Sequence, residues 1–538
     1  MAFENKQLQS LAITAPGFFG LNKQDAPVNM NNAYALTANN AVIDKFGRIG
    51  ARKGWVYRTN TGGTGSNIDA MLEFDNFDGS YTVISAGNNK IYTGETTLTQ
   101  AVVRNSNNTA DLTYNITDNN WQIIQAQYES GLDRSAHGYL VQAGHPTLVY
   151  HKLPSGGGGG HSHAGPFGFQ RFADVGSLPT GYTATTFTPN CALGAYGRTW
   201  FADIGSDNLT IYYSVLLDTS DLSSAGSGQI NIEKVVPKDD KIVALAAHNN
   251  FLVVFCQNTT VLYANADNVS NIALADVING IGCIARDTVQ NIGTDLLFLS
   301  NSGVRSLGRT IQEKSAPVND VTRNVRDDLL SYLAIENKAR IRSVYYEPDA
   351  FYLLTLPAST FTYCIDLRQK LEDGSNRVTF WSNISPRSLC TTVNRRLLIG
   401  KTNGIAEYTG YSDNSTSYVF SYYSPYLDFG SPSITKMLKK IGITVVGGQG
   451  TTFDVRWAYD YQGNYKTVRA DVVVGSVSEY GIAQYNIDEY SSSVFIDNIK
   501  KQLSGSGNIV QIGIDSLING TAVSIQKIDI YAITGRTI

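Results

Sequence analysis

The sequence predicts an all-β protein: a β-propeller of about six or seven degenerate blades, followed by a C-terminal β-sandwich platform, with one inserted helix. Three observations carry this prediction. Hairpin-like units return along most of the chain, the composition is that of a turn-rich β protein, and the texture changes near Ser412 to longer alternating runs.

The clearest unit lies between Lys241 and Tyr263. Residues 241–247 and 251–255 are apolar runs of strand length separated by His248, Asn249 and Asn250, and a second polar turn leads into Val261, Leu262 and Tyr263. Three short strands in succession make a meander. Variants occur at 81–84 with Ile91 and Tyr92, at 139–141 with 148–150, at 200–202 with 209–213, at 296–299 with 304–307, and at 397–399 with 405–408. A further apolar run at 351–356 with 361–364 fills the longest gap and brings the spacing close to the ~40 to 50 residues of a propeller blade. An array of β-sandwiches with similar hairpins is the competing arrangement.

At 538 residues the chain is too long for one ordinary core, so two or three domains are expected. Fifty Gly, 31 Tyr, four Met and 16% charged residues suit a protein rich in turns and poor in long helices. A formal net charge of −4 gives no basic footprint for tight nucleic-acid binding. Cys191, Cys256, Cys283, Cys364 and Cys390 are scattered without a CxxC pair. Neither structural zinc nor a disulfide framework is indicated, and buried thiols in a reducing cytoplasm are expected. The first twenty residues have no basic start and no apolar h-region, and no run approaches a membrane span. A chain made in a cytosol, with no stable membrane insertion, is the expectation.

Residues 1–55 are mostly polar and end on a turn-rich basic segment containing Arg48, Arg52, Lys53 and Trp55. An extended arm lying on another surface has this character, and so does a first strand with its loop. The propeller is expected over 56–411. Within it, the insertion 151–190 holds Gly156, Gly157, Gly158, Gly159 and Gly160, then His161, Ser162 and His163. Five consecutive glycines do not fix a backbone, so a flexible loop at a blade edge is one reading. The other is a loop that projects into the channel of a ring oligomer, where the copies gate it and His161 and His163 form a titratable ring. Two His without a third ligand give no metal site. A helix is expected at 319–333, capped by Asn319 or Asp320, with Val321, Val325, Leu329 and Leu333 as its apolar stripe.

The platform is expected over 412–538. Aromatics crowd 418–426, Lys436, Lys439 and Lys440 precede a weakly alternating run at 441–446, and Phe453, Val455, Trp457 and Tyr459 share one face of a strand. That face is a sandwich core or a docking surface, with the core expected. Two more strand-like runs, 509–514 and 523–532, end the chain.

No nucleophile elbow, phosphate loop, dinucleotide fingerprint or HExxH occurs, nor an Asp-box or WD repeat. Asp75, Asp78, Asp203 and Asp207 fall in or beside turns, where Asp bonds its own backbone. No catalysis and no cofactor are expected on these grounds, although paired carboxylates need no local motif.

In order, GFFGLN at 17–22, DAPV at 25–28 and NNAVIDKFGRIGARKGW at 39–55 resemble the N-terminus of tail nozzle proteins of short-tailed bacteriophages, the tail tubular protein B type. The likeness continues with SAPVNDVTRNVRDDLL at 315–330, ARIRSVYYEPDAFYLLTLP at 339–357, TYCIDLRQK at 362–370, FWS at 380–382 and TKMLKKIGITVVGG at 435–448. The resemblance implies a structural virion protein of the tail, made in the bacterial host cytoplasm. It implies a homohexameric ring that retains and then conducts genomic DNA during ejection, below a tail adaptor and beside tail fibres or tailspikes. Contact with duplex DNA would be transient and non-specific, through an acidic or neutral lumen. Arg48, Arg52, Lys53 and Trp55 would face a subunit or the adaptor. The alternative is a glycan-binding or glycan-cleaving propeller at a cell surface, in which Tyr side chains stack on sugars.

Overall fold

The computed structural model of the protein describes residues 8–59, 67–76, 78–107, 110, 120–130, 133–153, 165–313, 320–472 and 496–535. Strands dominate, and the polar doublets between apolar runs explain their register. His248 pairs with Phe251 across a two-residue turn in which Asn249 and Asn250 have φ of 46° and 64°. Positive φ at both central positions gives a turn whose twist matches the flanking strands, and Asn tolerates that conformation better than most residues. Asn88 and Asn89, at 49° and 59°, repeat the device between Gly87 and Lys90.

These hairpins assemble into a β-propeller of six full blades and one reduced blade. The first comprises Ala70–Asp75, Tyr81–Gly87, Lys90–Thr93 and Thr99–Gln100, and the second Gln122–Ser130, Asp133–Gln142, His145–Lys152 and Phe167–Arg171 with Val103–Arg104 at its edge. Pro189–Ala195 opens the third, which continues through Arg198–Ile204, Asp207–Tyr213 and Gly228–Asn231. The fourth is Ile242–His248, Phe251–Cys256, Thr259–Ala264 and Ala273–Asn279. The fifth is reduced to Gln290–Asn291, Leu296–Ser300 and Gly303–Ser306. The sixth is Arg342–Tyr346, Phe351–Leu356, Phe361–Lys370 and Asn376–Trp381, and the seventh Ser388–Thr391, Leu397–Lys401 and Gly404–Tyr408. The first-listed strands of the blades pack side by side around a closed ring, with the 3-10 turn Arg286–Thr288 bridging Ile242–His248 of the fourth blade and Arg342–Tyr346 of the sixth. Trp55–Tyr57, from the start of the chain, supplies the outer strand of the seventh blade, so both ends of the propeller meet in one sheet.

Apolar side chains fill the seams between blades. Trp200 and Ile211 of the third blade share a buried cluster with Leu252, Val254 and Val261 of the fourth, while Phe74 and Ile84 of the first pack with Leu140, Tyr150 and Phe169 of the second. Trp200 is wholly buried, and truncating such a side chain costs about 3–5 kcal/mol. All five cysteines are free and buried, as expected of small hydrophobes.

The C-terminal sandwich is not built from 412–538 alone. One sheet pairs Lys436–Gly447 with Val523–Thr534, Ile496–Gln502 and Ser506–Gly507, and Leu8–Thr14, Ala41–Ile43 and Ile49–Ala51 complete it. The other carries Tyr418–Tyr423, Val510–Ile518, Thr452–Tyr459 and Lys466–Asp471, and it joins the sixth blade through Thr37–Asn39 as one continuous sheet. The surfaces on which residues 8–51 lie are therefore this chain's own: the sandwich for Leu8–Thr14, Ala41–Ile43 and Ile49–Ala51, and the sixth blade for Gly20–Leu21, where Gly20 pairs with Val378. Phe453, Val455, Trp457 and Tyr459 all point into the sandwich core.

Other local expectations change. The 319–333 helix is a 3-10 turn at Arg323–Val325 followed by an α-helix at Arg326–Leu333; Asn319 lies outside the described residues. Asp320 does not cap it, because its carboxylate is held by Arg305 at 3.1 Å and Arg326 at 3.0 Å. Val321, Val325, Leu329 and Leu333 are buried as the stripe requires. Two further short α-helices occur among the described residues, Phe172–Val175 and Leu307–Glu313. The 151–190 insertion is narrower than expected, since Phe167 pairs with Lys152 and Phe167–Arg171 is a blade strand. Among the described residues no helix is long and apolar enough to cross a membrane.

Candidate functional site

Just upstream of the inner strand of almost every blade stands a polar or charged residue, and these residues converge at one mouth of the propeller axis. They include Asp69 of the first blade, Asn120 of the second, Lys241 of the fourth, Arg286 and Asp287 of the fifth, Arg340 and Arg342 of the sixth and Arg387 of the seventh. The third blade contributes Asn190 and Asp203 from two of its strands.

Arg286 ties the groups of three blades together. Its Nη1 donates to the Asn190 carbonyl at 2.6 Å, and its Nη2 donates to the Asn120 carbonyl and to Asp287 Oδ2, both at 2.9 Å. Arg342 Nη1 sits 2.7 Å from the same carboxylate oxygen, and Nη2 donates to Asn120 Oδ1 at 3.0 Å. Alongside, Arg387 Nε donates to Asp69 Oδ1 at 2.7 Å, with Arg340 3.5 Å from Oδ2. Fixed guanidinium forks of this kind hold carboxylates and carbonyls in register across neighbouring blades.

This network forms the floor of a cavity of about 210 Å³ lined by Asn190, Asp203, Lys241, Gln257, Arg286 and Lys338 among others. Arg286 also faces a second space of about 200 Å³ inside the axial channel, reached by Met71, Gln122, Leu245, Gln290 and Ser343. Beside the mouth lies a third cavity of about 330 Å³ with Asp69, Glu336, Arg340 and Arg387 on its walls. Taken together, six cationic side chains (Lys241, Arg286, Lys338, Arg340, Arg342, Arg387) face four carboxylates (Asp69, Asp203, Asp287, Glu336). Among the described residues the mouth is thus locally positive, on a chain whose formal charge is −4.

Two carboxyls at this mouth are driven in opposite directions. Burial pushes Asp203 up, against the Asn190 side chain that donates to it at 2.8 Å and the charges of Lys241 and Arg286. Burial also opposes the charge on Asp287, but Arg286 and Arg342 outweigh it and hold that carboxyl below its usual range. Asp203 sits at a register shift between Ala202 and Ile204 with φ of 57°, a left-handed conformation that a non-glycine residue adopts at a cost of about 1–3 kcal/mol. The sequence reading placed Asp203 only beside a turn; its convergence with the other blades' charged residues needs strand register to be seen.

The residues singled out from sequence behave differently. Gly156, Gly157, Gly158, Gly159, Gly160, His161, Ser162 and His163 lie outside the described residues. Arg52 has a fully buried side chain: Nη1 and Nη2 bond Asp413 at 2.8 and 2.7 Å, Nε bonds Asn40 at 2.9 Å, and the guanidinium lies 4.2 Å from the centre of the Tyr418 ring. Trp55 is only 9% exposed, with Lys401 Nζ 4.0 Å above its ring. Neither can be the outward contact expected of them, because Arg52 fastens the sandwich to the propeller and Trp55 is packed in the seam between the sixth and seventh blades. Arg48 is engaged by Asp44 at 2.6 Å and stacks on Phe46, and Lys53 remains partly exposed near Asp349.

No protein-family description matches the chain, and no curated protein does. Solved structures show likenesses of fold. One is the extracellular domain of a hybrid two-component system from B. thetaiotaomicron, at a TM-score of 0.35 and 12% identity, over 66% of this chain and 41% of that one. Two others are the exo-β-1,3-galactanase of Phanerochaete chrysosporium, at 0.26 and 9% over 90% and 100% of the two chains, and a family 43 arabinoxylan arabinofuranohydrolase of Bacillus subtilis, at 0.25 and 9% over 95% and 96%. The expectation of no catalysis was drawn from missing motifs alone, and two of these solved structures are glycoside hydrolases. The absence of sequence motifs is no ground for that expectation, because chemistry by paired carboxylates leaves no local signature.

Proposed function

We propose that this chain is a wall-forming component of the distal tail tube of a short-tailed phage, located in the virion tail after synthesis in the host cytoplasm. The observation that carries the reading is the union of propeller and platform. One continuous sheet runs from the sixth blade into the sandwich, Leu8–Thr14, Ala41–Ile43 and Ile49–Ala51 are paired into the sandwich, and Arg52 closes the joint. A unit of this kind transmits load without an interdomain hinge, as a tube wall requires, and the ordered sequence patches resembling nozzle proteins point the same way. The propeller axis is crossed by Arg286, Asp287 and Arg342, so in this reading DNA passes through a space enclosed by several copies, six by the resemblance. The adaptor and tail fibres or tailspikes are its neighbours. Imaging particles that carry the chain tests this: copies ringed about the tail axis are expected, and isolated copies away from the axis overturn it.

A second reading, a propeller that binds or cleaves glycans at a cell surface, is favoured by one observation. Asp203 and Asp287 both lie beside Arg286, and their environments push the two carboxyls in opposite directions, a difference of the kind that separates acid from base in glycoside hydrolysis. Its test is release of reducing sugar from a panel of surface polysaccharides, with Asp203→Asn as the control. Release that Asp203→Asn abolishes supports it; no binding and no release with any polysaccharide overturns it.

A further inference from the structure

The geometry points to the cavity at the axial mouth as a binding site for a carboxylated sugar, a uronic acid unit held with its carboxylate between Lys241 and Lys338. The inference rests on the second reading and deepens it by naming the substrate class. Lys241 and Lys338 are exposed and come from different blades onto the same cavity of about 210 Å³, room for a single sugar unit. Arg286, beneath them, has its guanidinium committed to Asn190, Asn120 and Asp287, so it supplies field rather than a free fork. The ammonium groups are therefore the ones placed to meet a ligand carboxylate.

The remaining lining suits the rest of a sugar. Asp203 and Gln257 offer polar groups to hydroxyls, and Ala285 and Ala339 present small apolar surface to a ring face. Few convergent polar groups on a partly apolar wall is the usual make-up of a small-molecule site. A neutral hexose would use the hydroxyl partners alone and leave both ammonium groups in water; a uronic acid engages both sets. Inorganic phosphate would engage the ammonium groups and nothing else. The class follows from charge and polar groups together.

The experiment is titration calorimetry on the full chain with glucuronate, glucose and inorganic phosphate, repeated on Lys241→Ala and Lys338→Ala. Both lysines are exposed, and thermal unfolding of each variant beside the parent shows whether it folds. Glucuronate should bind more tightly than glucose or phosphate, and each variant should weaken it about fivefold with an unchanged melting temperature. Glucose binding as well as glucuronate, with both variants at parental affinity, overturns this site while leaving the glycan reading standing. Phosphate matching glucuronate overturns the assignment to a sugar. Failure of every saccharide to bind, polysaccharides included, removes the glycan reading and this inference together.

Discussion

At the joint between propeller and sandwich, Arg52 is enclosed by Asp413, Asn40 and Tyr418, and Lys401 is buried against Trp55. At the axial mouth the same residue types surround open space: Lys241 and Lys338 stand at the rim, and only the floor beneath them is locked. Buried ion pairs are costly to form and costlier to break, because removing one partner strands a charge in a poor solvent. Charges on an open rim cost little to keep or lose and are free to act on something else. Burial, rather than residue type, separates the fastening from the candidate site.

The sharpest way to break the comparison is at the joint. Asp413→Ala leaves Arg52 buried with its fork unpaired and should destabilise the chain by about 3–5 kcal/mol in denaturant unfolding. Replacing both, as Arg52→Met with Asp413→Leu, should recover a large part of that loss, since the stranded charge is gone. If the single substitution is neutral, the joint does not hold the two parts together.

The next effect is one of pH. Burial lowers Lys401 from its ordinary value to about 8. In the unfolded chain it titrates near 10.4, so between about pH 8 and 10 the unfolded state holds more protons, and stability from this residue rises as pH rises. The contribution is complete above the unfolded value and is lost as pH falls through about 8. Lys401→Met should remove that rise, a difference on the order of 3 kcal/mol between pH 7 and 10.5. Parallel stability profiles for variant and parent across this range count against it.

At the floor of the mouth the expected loss is smaller. Asp287→Asn keeps the shape but leaves Arg286 and Arg342 facing a neutral amide, at about 1–3 kcal/mol. The folded carboxyl is depressed, so its stabilisation is present above the unfolded value near pH 4 and fades as pH falls through the folded one. The variant should accordingly lose part of the parent's acid-limb slope, measured by unfolding from pH 5 to pH 2.

Much of the fold was legible because it is local. Phe251–Cys256 and Thr259–Ala264 are strands by pattern and turn chemistry alone, and the face of Phe453, Val455, Trp457 and Tyr459 is buried as alternation requires. What escaped is non-local. Residues 8–51 read as an arm because their partner strands, Val523–Thr534, Tyr418–Tyr423 and Asn376–Trp381 among them, lie well over three hundred positions away. Asp320 read as a cap because Arg305 and Arg326 reach it only in the folded chain. The mouth escaped for the same reason: Asp69 and Arg387 are separated by 318 positions and meet only because the propeller closes.

The smallest effect is the most discriminating for that mouth. Lys241→Ala and Lys338→Ala remove exposed ammonium groups from a cavity rim, where a substitution changes stability by no more than about 0.5 kcal/mol. Both melting curves should overlay the parent, in contrast to Asp413→Ala at the joint. The reason is solvation: water takes over an exposed charge's partners at little cost, while no water reaches Arg52. If either lysine variant unfolds markedly sooner, its side chain is fastening the mouth rather than facing it, and the division between a locked joint and an open rim does not hold.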